Sequence, residues 1–209
     1  VTMRGMGAFS LTQGVGFYLD DVQLFGDASS RFGDLDRIEV LKGPQGVLYG
    51  GSNIGGAVKF ISTRPSPDEI TGHIKLMAGE QSSTDVEGSI NLPIGNEWAV
   101  RLFAFTREDD GFMYNPTTDD DSVAGYEESG GRISIAGPLS DNLSLYASLR
   151  SNQYDGPNNN WALERGTPPN FDYPYINDIE TPSNNDKETY GASLELTWEL
   201  DGFDVTSIT

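Results

Sequence analysis

From about residue 68 onward, the sequence predicts strands of an antiparallel transmembrane β-barrel. Apolar and polar residues alternate with a period of two in successive segments, and short connections alternate with long ones. Alternation gives each strand one apolar and one polar face, but it fits a soluble antiparallel sandwich equally well. The connections favour the barrel, because outer-membrane barrels have short turns at one end and long loops at the other.

The predicted strands are each defined by a set of apolar or small residues facing one way. The clearest sets are Ile70, Gly72, Ile74, Leu76 and Ala78; Val86, Gly88, Ile90 and Leu92; Ile133, Ile135, Gly137 and Leu139; Leu143, Leu145, Ala147 and Leu149; and Tyr190, Ala192, Leu194, Leu196, Trp198 and Leu200. A less regular run, Trp98 to Arg107, and the last segment, Phe203 to Thr209, bring the expected number of strands to seven.

The connections divide by length into two groups. The short ones are Pro93 to Glu97, Pro138 to Asn142 and Leu200 to Phe203, and the long ones are Glu108 to Glu127 and Asp155 to Lys187. Gly79 to Ser83 is a short exception on the long-loop side. Trp98 and Trp198 fall on the outward face beside short turns, and Tyr190 falls on the same face at the other end of its strand. We therefore predict that these three aromatics lie at the two membrane interfaces.

Composition excludes several other classes of protein. The 209 residues carry a formal net charge of -19, so the phosphate backbone of a nucleic acid would be repelled. No cysteine is present, and no run of about 18 apolar residues predicts a spanning helix. The mean hydropathy of -0.41 is compatible with a membrane barrel, whose strands alternate in polarity.

The N-terminal third is dominated by a glycine-rich stretch, LDRIEVLKGPQGVLYGGSNIGGAVKFISTRP, from Leu35 to Pro65. Its glycines permit tight turns and positive φ. Together with the upstream segments VTMRGMG and GVGFYLDDVQL, this order of residues resembles the plug domain of TonB-dependent outer-membrane receptors. Those proteins are Gram-negative transporters in which a small plug fills the lumen of a large β-barrel.

The resemblance implies an α+β plug followed by antiparallel transmembrane β-barrel strands. We expect residues 1-67 to be the C-terminal part of the plug and residues 68-209 to be the N-terminal strands of the barrel. Plugged transporters have about 22 strands, so seven strands predict an incomplete fragment of a large plugged β-barrel. The irregular face of Trp98 to Arg107, where Phe103 and Phe105 join two arginines, is then explained by contact with the plug.

The function implied is import of a scarce ligand across the Gram-negative outer membrane. A ferric siderophore complex is the first expectation, since iron complexes are the family's commonest cargo, and an oligosaccharide is the alternative. The resemblance also implies the TonB energy-transducing protein and outer-membrane lipid as partners. A non-transporting binding or signalling receptor is the competing class.

Three charged residues of the glycine-rich stretch match positions at which the family pairs its plug with the barrel wall: Arg37, Glu39 and Lys42. The family more often has arginine at the last position, and lysine cannot reproduce its bidentate geometry. The candidate partners on the lumen face of the wall are Glu87, Glu195, Arg101 and Arg132.

The segment Tyr154 to Lys187 is the candidate ligand-binding loop. It combines amide side chains and prolines with the aromatic residues Tyr154, Trp161, Phe171, Tyr173 and Tyr175. Flat rings beside amides suit a ferric chelate or a sugar, and long loops on a rigid scaffold commonly carry binding sites; a self-packed surface loop is the alternative. No nucleophile elbow, phosphate loop or metal-ligand spacing is present, so we predict no enzyme activity, cofactor or metal site.

Overall fold

The computed structural model describes residues 15-24, 33-43, 55-80, 82-157 and 184-209. They form eleven strands in two sheets. The strands are β1 Val15–Leu19, β2 Val22–Leu24, β3 Leu35–Lys42, β4 Gly56–Ser62, β5 Thr71–Ala78, β6 Thr84–Ile94, β7 Trp98–Asn115, β8 Asp120–Ser140, β9 Leu143–Pro157, β10 Asn184–Leu200 and β11 Phe203–Ile208.

The first sheet, called the plug sheet here, consists of β1 to β4 in the order β2-β1-β4-β3. β1 and β4 are parallel, and the other neighbouring pairs are antiparallel. Its apolar core is formed by buried side chains of the two central strands, namely Val15, Phe17, Leu19, Val58 and Phe60. Burial of these side chains provides the plug sheet with a conventional hydrophobic core.

A two-residue turn joins β1 to β2. Asp20 and Asp21 both have positive φ, 48° and 67°, as a type I′ hairpin turn requires. The buried carboxylate of Asp20 accepts a hydrogen bond from the backbone N–H of Ser62 at 2.8 Å, and Asp21 pairs with Lys59 at 2.6 Å. These contacts explain why aspartates occupy a turn in which asparagine and glycine are commoner.

The second sheet, called the wall sheet here, is a seven-stranded antiparallel meander from β5 to β11. Each strand pairs with the next one along the chain, as the alternation of polarity predicted. The plug sheet ends at Ser62 and the wall sheet begins at Thr71, so residues 63-70 connect the two sheets. The assignment of these sheets to separate domains, with a boundary near residue 67, stays a prediction.

One predicted loop is wrong in extent. Residues 108-127 are mostly a continuation of β7 and β8, with the turn confined to the four residues 116-119. Register shifts beside Met113 break the two-residue periodicity, and Gly111 adopts a φ of 93° that favours glycine. The sequence predicted a loop here because the segment is rich in acidic residues and its alternation is interrupted, whereas the structure has a hairpin of two strands.

The described residues contain strands and no helix. The antiparallel part of the predicted fold is thus seen, whereas the helical component of the expected α+β plug is not seen in the parts of the plug that the structure describes. Within the same residues, no helix is long and apolar enough to cross a membrane.

Candidate functional site: the interface between plug and wall

The two faces of the wall sheet differ in polarity and in exposure. On the face toward the plug, the buried residues of β6 to β9 are largely polar or charged, among them Ser89, Asn91, Arg101, Arg132, Ser134 and Ser148. On the opposite face, large apolar side chains are exposed, including Leu102, Ile133, Leu149 and Leu194. We call these the inner and outer faces of the wall.

Asp34 is the principal contact between the two sheets. It precedes β3, has a φ of +54°, and its side chain is 1% exposed. Arg101 on β7 donates to both carboxylate oxygens, from Nε at 2.8 Å and from Nη2 at 2.5 Å. Arg132 on β8 donates from Nη2 to the carboxylate and to the backbone carbonyl of the same aspartate, both at 2.9 Å. Charge-assisted, bidentate hydrogen bonds of this kind fix geometry strongly.

The residue before this aspartate packs directly on the wall. A Cβ placed on Gly33 would lie 2.2 Å from the Cζ atom of Phe103, so no larger residue fits there without displacement. Phe103 in turn stacks on Phe105, with ring centroids 5.7 Å apart. The inward position of Phe103 is therefore explained by contact with the plug, and Phe105 packs beside it within the wall.

The connecting segment 63-70 is also held to the wall. Arg64 pairs with Glu195 on β10 at 2.8 Å, and its guanidinium lies 3.6 Å from the ring centroid of Tyr146 on β9. Asn91 on β6, which is 2% exposed, exchanges hydrogen bonds with the backbone of Ser66 at 2.8 and 3.0 Å and donates another to the carbonyl of Glu69 at 2.8 Å. Five wall strands, β6 to β10, thus hold the segment and Asp34 in place.

The residues predicted to pair the plug with the wall lie elsewhere. Arg37 forms ion pairs with Asp36 at 2.7 Å and Glu39 at 2.8 Å, and these hydrogen bonds raise the pKa of Arg37 above its ordinary value. Glu39 also lies 3.7 Å from Lys59, and Lys42 is exposed at the end of β3. Their pairing with a barrel wall stays a prediction.

The four predicted wall partners differ in the residues that they contact. Arg101, Arg132 and Glu195 do contact the plug or its connecting segment, through Asp34 and Arg64. Glu87 instead pairs within the wall, with Lys75 at 3.7 Å and Arg107 at 3.5 Å. Sequence reasoning missed Asp34 because an acidic residue beside a glycine in a loop resembles any solvated carboxylate.

Farther along the inner face, toward the long hairpin of β7 and β8, a charged cluster surrounds Arg107. Its guanidinium lies 3.3 Å from Asp85 and 4.0 Å from Glu128, in addition to Glu87. Asn152 donates to Glu128 at 2.8 Å. In the described residues, no three acidic or histidine side chains are arranged to hold a metal ion.

Tyr154, a predicted ligand-binding residue, lies beside this cluster. Its ring stacks on Tyr126 with centroids 6.1 Å apart, and its hydroxyl donates to the carbonyl of Pro157 at 3.1 Å. Both tyrosines occupy inner-face positions of their strands. The other predicted ligand-binding residues, Trp161, Phe171, Tyr173 and Tyr175, lie outside the described residues. A ligand-binding role for all five stays a prediction.

The predicted interface aromatics lie on the outer face. Trp98 packs against Gly137, where an added Cβ would lie 2.3 Å from the indole, and Trp198 and Tyr190 are 49% and 73% exposed. The tryptophans are next to the short turns, and Tyr190 is toward the other end of β10. Their place at a membrane interface stays a prediction.

A row of carboxylates crosses the outer face beyond Tyr190. Glu108, Glu127, Asp155 and Asp186 are exposed and lie directly opposite one another on β7, β8, β9 and β10. Like charges in adjacent cross-strand positions repel one another unless water screens them. This row therefore has to lie in water, and it limits the apolar part of the outer face.

Together these features define a class of protein: a small plug sheet fastened by buried ion pairs to the polar face of an antiparallel wall, whose other face is apolar. The family model named TonB-dependent Receptor Plug Domain matches residues 1-57. The resemblance found in the sequence is thereby confirmed for this N-terminal part of the chain.

Curated relatives agree with this assignment. The chain is 40% identical to the ferrioxamine receptor of Yersinia enterocolitica over 76 residues, which are 36% of this chain and 11% of that protein. It is 28% identical to the pesticin receptor of Yersinia pestis over 139 residues, which are 65% of this chain and 20% of that protein. The chain thus spans a fifth or less of these relatives.

Solved structures show the same fold. The ferric yersiniabactin uptake receptor of Yersinia pestis superposes with a TM-score of 0.73 at 21% identity, covering 95% of this chain and 32% of that one. The ferric-catecholate import receptor of E. coli K12 superposes with a TM-score of 0.76 at 20% identity, covering 92% and 30%. These similarities establish the fold.

Proposed function

We propose that this chain is part of a TonB-dependent receptor of the Gram-negative outer membrane that imports a ferric siderophore complex. The observation that carries the proposal is the fastening of the plug, through Asp34, to the inner face of a wall whose outer face exposes apolar side chains. The receptors named above are described as taking up ferric yersiniabactin and ferric catecholate or as binding ferrioxamine.

The dimensions of the outer face support insertion in a membrane. Ten residue steps separate Trp98 from Glu108 on β7. At about 3.3 Å per residue and a strand tilt of about 40°, these steps span about 25 Å, which is the height of the apolar band of an outer-membrane barrel. Between these levels the outward positions of β6 to β9 carry no charged side chain, and on β10 the last charge before the row is Glu188.

The same geometry supports closure of the wall into a barrel. β5 and β11 are the edges of the wall sheet in this chain, and an unpaired edge in lipid leaves backbone groups without partners. Further strands of the full receptor would pair with both edges. Outer-membrane lipid is then the partner of the outer face, and the TonB protein is the partner that supplies energy for moving the plug.

The proposed ligand contact lies on the inner face of the wall, toward the long hairpin of β7 and β8. Tyr126 and Tyr154 present stacked rings beside the polar cluster of Arg107 and Glu128. The rings can stack on a flat chelating group while the polar cluster provides hydrogen bonds. The connection between β9 and β10, which carries the remaining predicted aromatics, begins just beyond Tyr154.

The test is uptake by cells that produce the full-length receptor. Radioactive iron bound to ferrioxamine, yersiniabactin or a catecholate siderophore is offered in parallel with labelled oligosaccharides, with and without a protonophore. We expect iron to accumulate in a manner that requires both the proton gradient and TonB. Accumulation of sugar would replace the cargo, and binding without uptake of either would replace the transporter by a binding or signalling receptor.

Matched variants locate the ligand. Tyr154→Ala is expected to weaken binding of the imported chelate to whole cells by about tenfold, the loss of about 1 to 2 kcal/mol for one stacking contact. Tyr190→Ala removes an equivalent ring from the outer face and should leave binding unchanged. Equal effects of the two substitutions would argue against a ligand site on the inner face.

A further inference from the structure

The two arginines that hold Asp34 belong entirely to the wall. Arg101 stands on β7 and Arg132 on the adjacent strand β8, and they are 8% and 9% exposed. Arg101 Nη2 also donates to the Ser89 hydroxyl on β6 at 2.9 Å, which orients its guanidinium. The hydrogen-bond donors of this site therefore all belong to the wall, and the carboxylate that accepts from them belongs to the plug.

The arrangement of hydrogen-bond donors in this site matches the shape of a carboxylate. Both carboxylate oxygens accept from Arg101, and one of them also accepts from Arg132. The fork of a guanidinium matches the two oxygens of a carboxylate, which is the basis of bidentate recognition. Asp34 reaches the site from 67 and 98 residues away in sequence. Its positive φ shows that the backbone adopts a less favoured conformation to present this side chain.

The charge balance leaves the site strongly positive when the plug side chain is removed. One carboxylate faces two guanidinium groups, and Arg150 lies directly opposite Arg132 in the register of β8 and β9. Nearby Asp20, from the turn between β1 and β2, interacts electrostatically with Arg150. Among the described residues, Asp34 is the carboxylate that pairs with these two buried arginines, so removing it leaves buried uncompensated charge, which is unfavourable.

We infer that Arg101 and Arg132 form a carboxylate-binding site of the wall, which the plug fills with Asp34 and which a small carboxylate from solution can occupy once that side chain is gone. Asp34 then acts as a tethered ligand whose departure is required when the plug moves. The inference concerns binding of a carboxylate, so it holds or fails independently of the cargo proposed above.

The experiment is chemical rescue of Asp34→Gly in the full-length receptor, held in outer-membrane vesicles. Glycine is chosen because it accepts the positive φ without strain and leaves space for formate. The readout is the rate of hydrogen exchange in β3 and in the connecting segment. Loss of a buried charge partner is expected to raise the open fraction about 100-fold or more. Formate should reverse this increase saturably, whereas chloride at equal ionic strength should not.

Three controls distinguish binding of formate at this site from other effects of formate. The unaltered receptor should not respond to formate, since its site is filled. Asp34→Asn fills the space with a neutral group and should respond much less than Asp34→Gly. The triple variant Asp34→Gly/Arg101→Gln/Arg132→Gln should lose the response, because it lacks the donors.

Equal effects of formate and chloride on Asp34→Gly would overturn the inference, as would a formate effect that survives in the triple variant. If Asp34→Gly does not insert into membranes, the same measurement on Asp34→Ser decides, because its shorter side chain also leaves room for formate. Saturable protection of that variant supports the site, and protection no greater than that by chloride contradicts it.

Discussion

The plug sheet buries mainly apolar side chains, whereas the wall sheet buries charged and polar side chains beside apolar ones. In the plug sheet, apolar side chains such as Phe17 and Val58 are buried in a core, as in a water-soluble protein. In the wall sheet, Arg101 and Arg132 are buried while Ile133 and Leu149 are 48% and 59% exposed. The two sheets therefore fit different surroundings, because the wall exposes apolar side chains on its outer face and buries charged ones on the inner face, against the plug.

The contrast also shows how the two sheets are joined. A plug that packed on the wall through apolar surface alone would be held by non-directional forces. Here the contact is made by few, directional bonds around Asp34 and Arg64, together with one close approach at Gly33. Such bonds are strong while their geometry is maintained and are lost together when either partner moves.

The largest expected effect comes from breaking the apolar outer face. Ile133→Arg places a charge beside Leu102 and Leu149, near the middle of the band. It should lower the free energy of unfolding of the full receptor from bilayers by about 2 to 4 kcal/mol. Ser129→Arg lies on the same strand close to the carboxylate row and should cost about 0 to 1 kcal/mol. Denaturant titration in bilayers measures both, and equal costs would place the band elsewhere.

The next effect tests the close approach between the sheets. Gly33→Ala puts a methyl group where the Phe103 ring stands, and overpacking of this kind costs about 1 to 3 kcal/mol. We expect faster proteolysis of the plug in otherwise intact receptor. Adding Phe103→Leu, which withdraws the ring, should restore much of the resistance. A double variant as sensitive as Gly33→Ala would mean that the ring is not the obstacle.

A smaller effect tests the clamp on the connecting segment. Arg64→Met removes both the ion pair with Glu195 and the cation–π contact with Tyr146, and should destabilise the attachment by about 1 kcal/mol. Arg64→Lys keeps the charge and should lose less. A double-mutant cycle with Tyr146→Leu, followed by hydrogen exchange of residues 63-70, separates the two contributions. A coupling energy near zero would assign the effect to the ion pair alone.

The smallest effect concerns the tip of the β7–β8 hairpin, beyond the carboxylate row. The hydroxyl and the backbone N–H of Ser122 donate to Asp120 and lower the pKa of that carboxyl below its ordinary value. A lowered pKa in the folded state stabilises the turn above the pKa of the unfolded chain. That stabilisation is lost as the pH falls through the folded value.

Ser122→Ala should therefore raise the pKa of Asp120 toward its ordinary value. The change is measured by carboxyl NMR of the receptor in detergent during an acid titration. Thr118→Ala, in the same turn, serves as the control and should leave the titration of Asp120 in place. An unchanged pKa in Ser122→Ala would contradict the hydrogen bonds from the hydroxyl.

The alternation of residue types was sufficient to predict five strands of the wall and their apolar faces, whereas the less regular run Trp98 to Arg107 and the last segment were added to reach seven. Side chains on adjacent positions of a strand point to opposite faces, so the pattern is local and can be found without knowing the partner strand. The order of motifs from Leu35 to Pro65 was likewise sufficient to indicate the plug family, which the family match confirms. The length of the β7–β8 hairpin was not predictable, because register shifts interrupt the alternation where the acids begin.

The contacts between plug and wall depend on the tertiary structure alone. In the sequence, Asp34 cannot be distinguished from a solvated loop residue. It is buried in the structure because two arginines far away in the sequence donate hydrogen bonds to its carboxylate. Arg101 and Arg132 were identified as lumen-facing charges from periodicity, whereas their partner was not. The alternation along a strand determines which face of the sheet a side chain occupies. The packing of the two sheets determines which group that side chain contacts, and no local sequence pattern contains this packing.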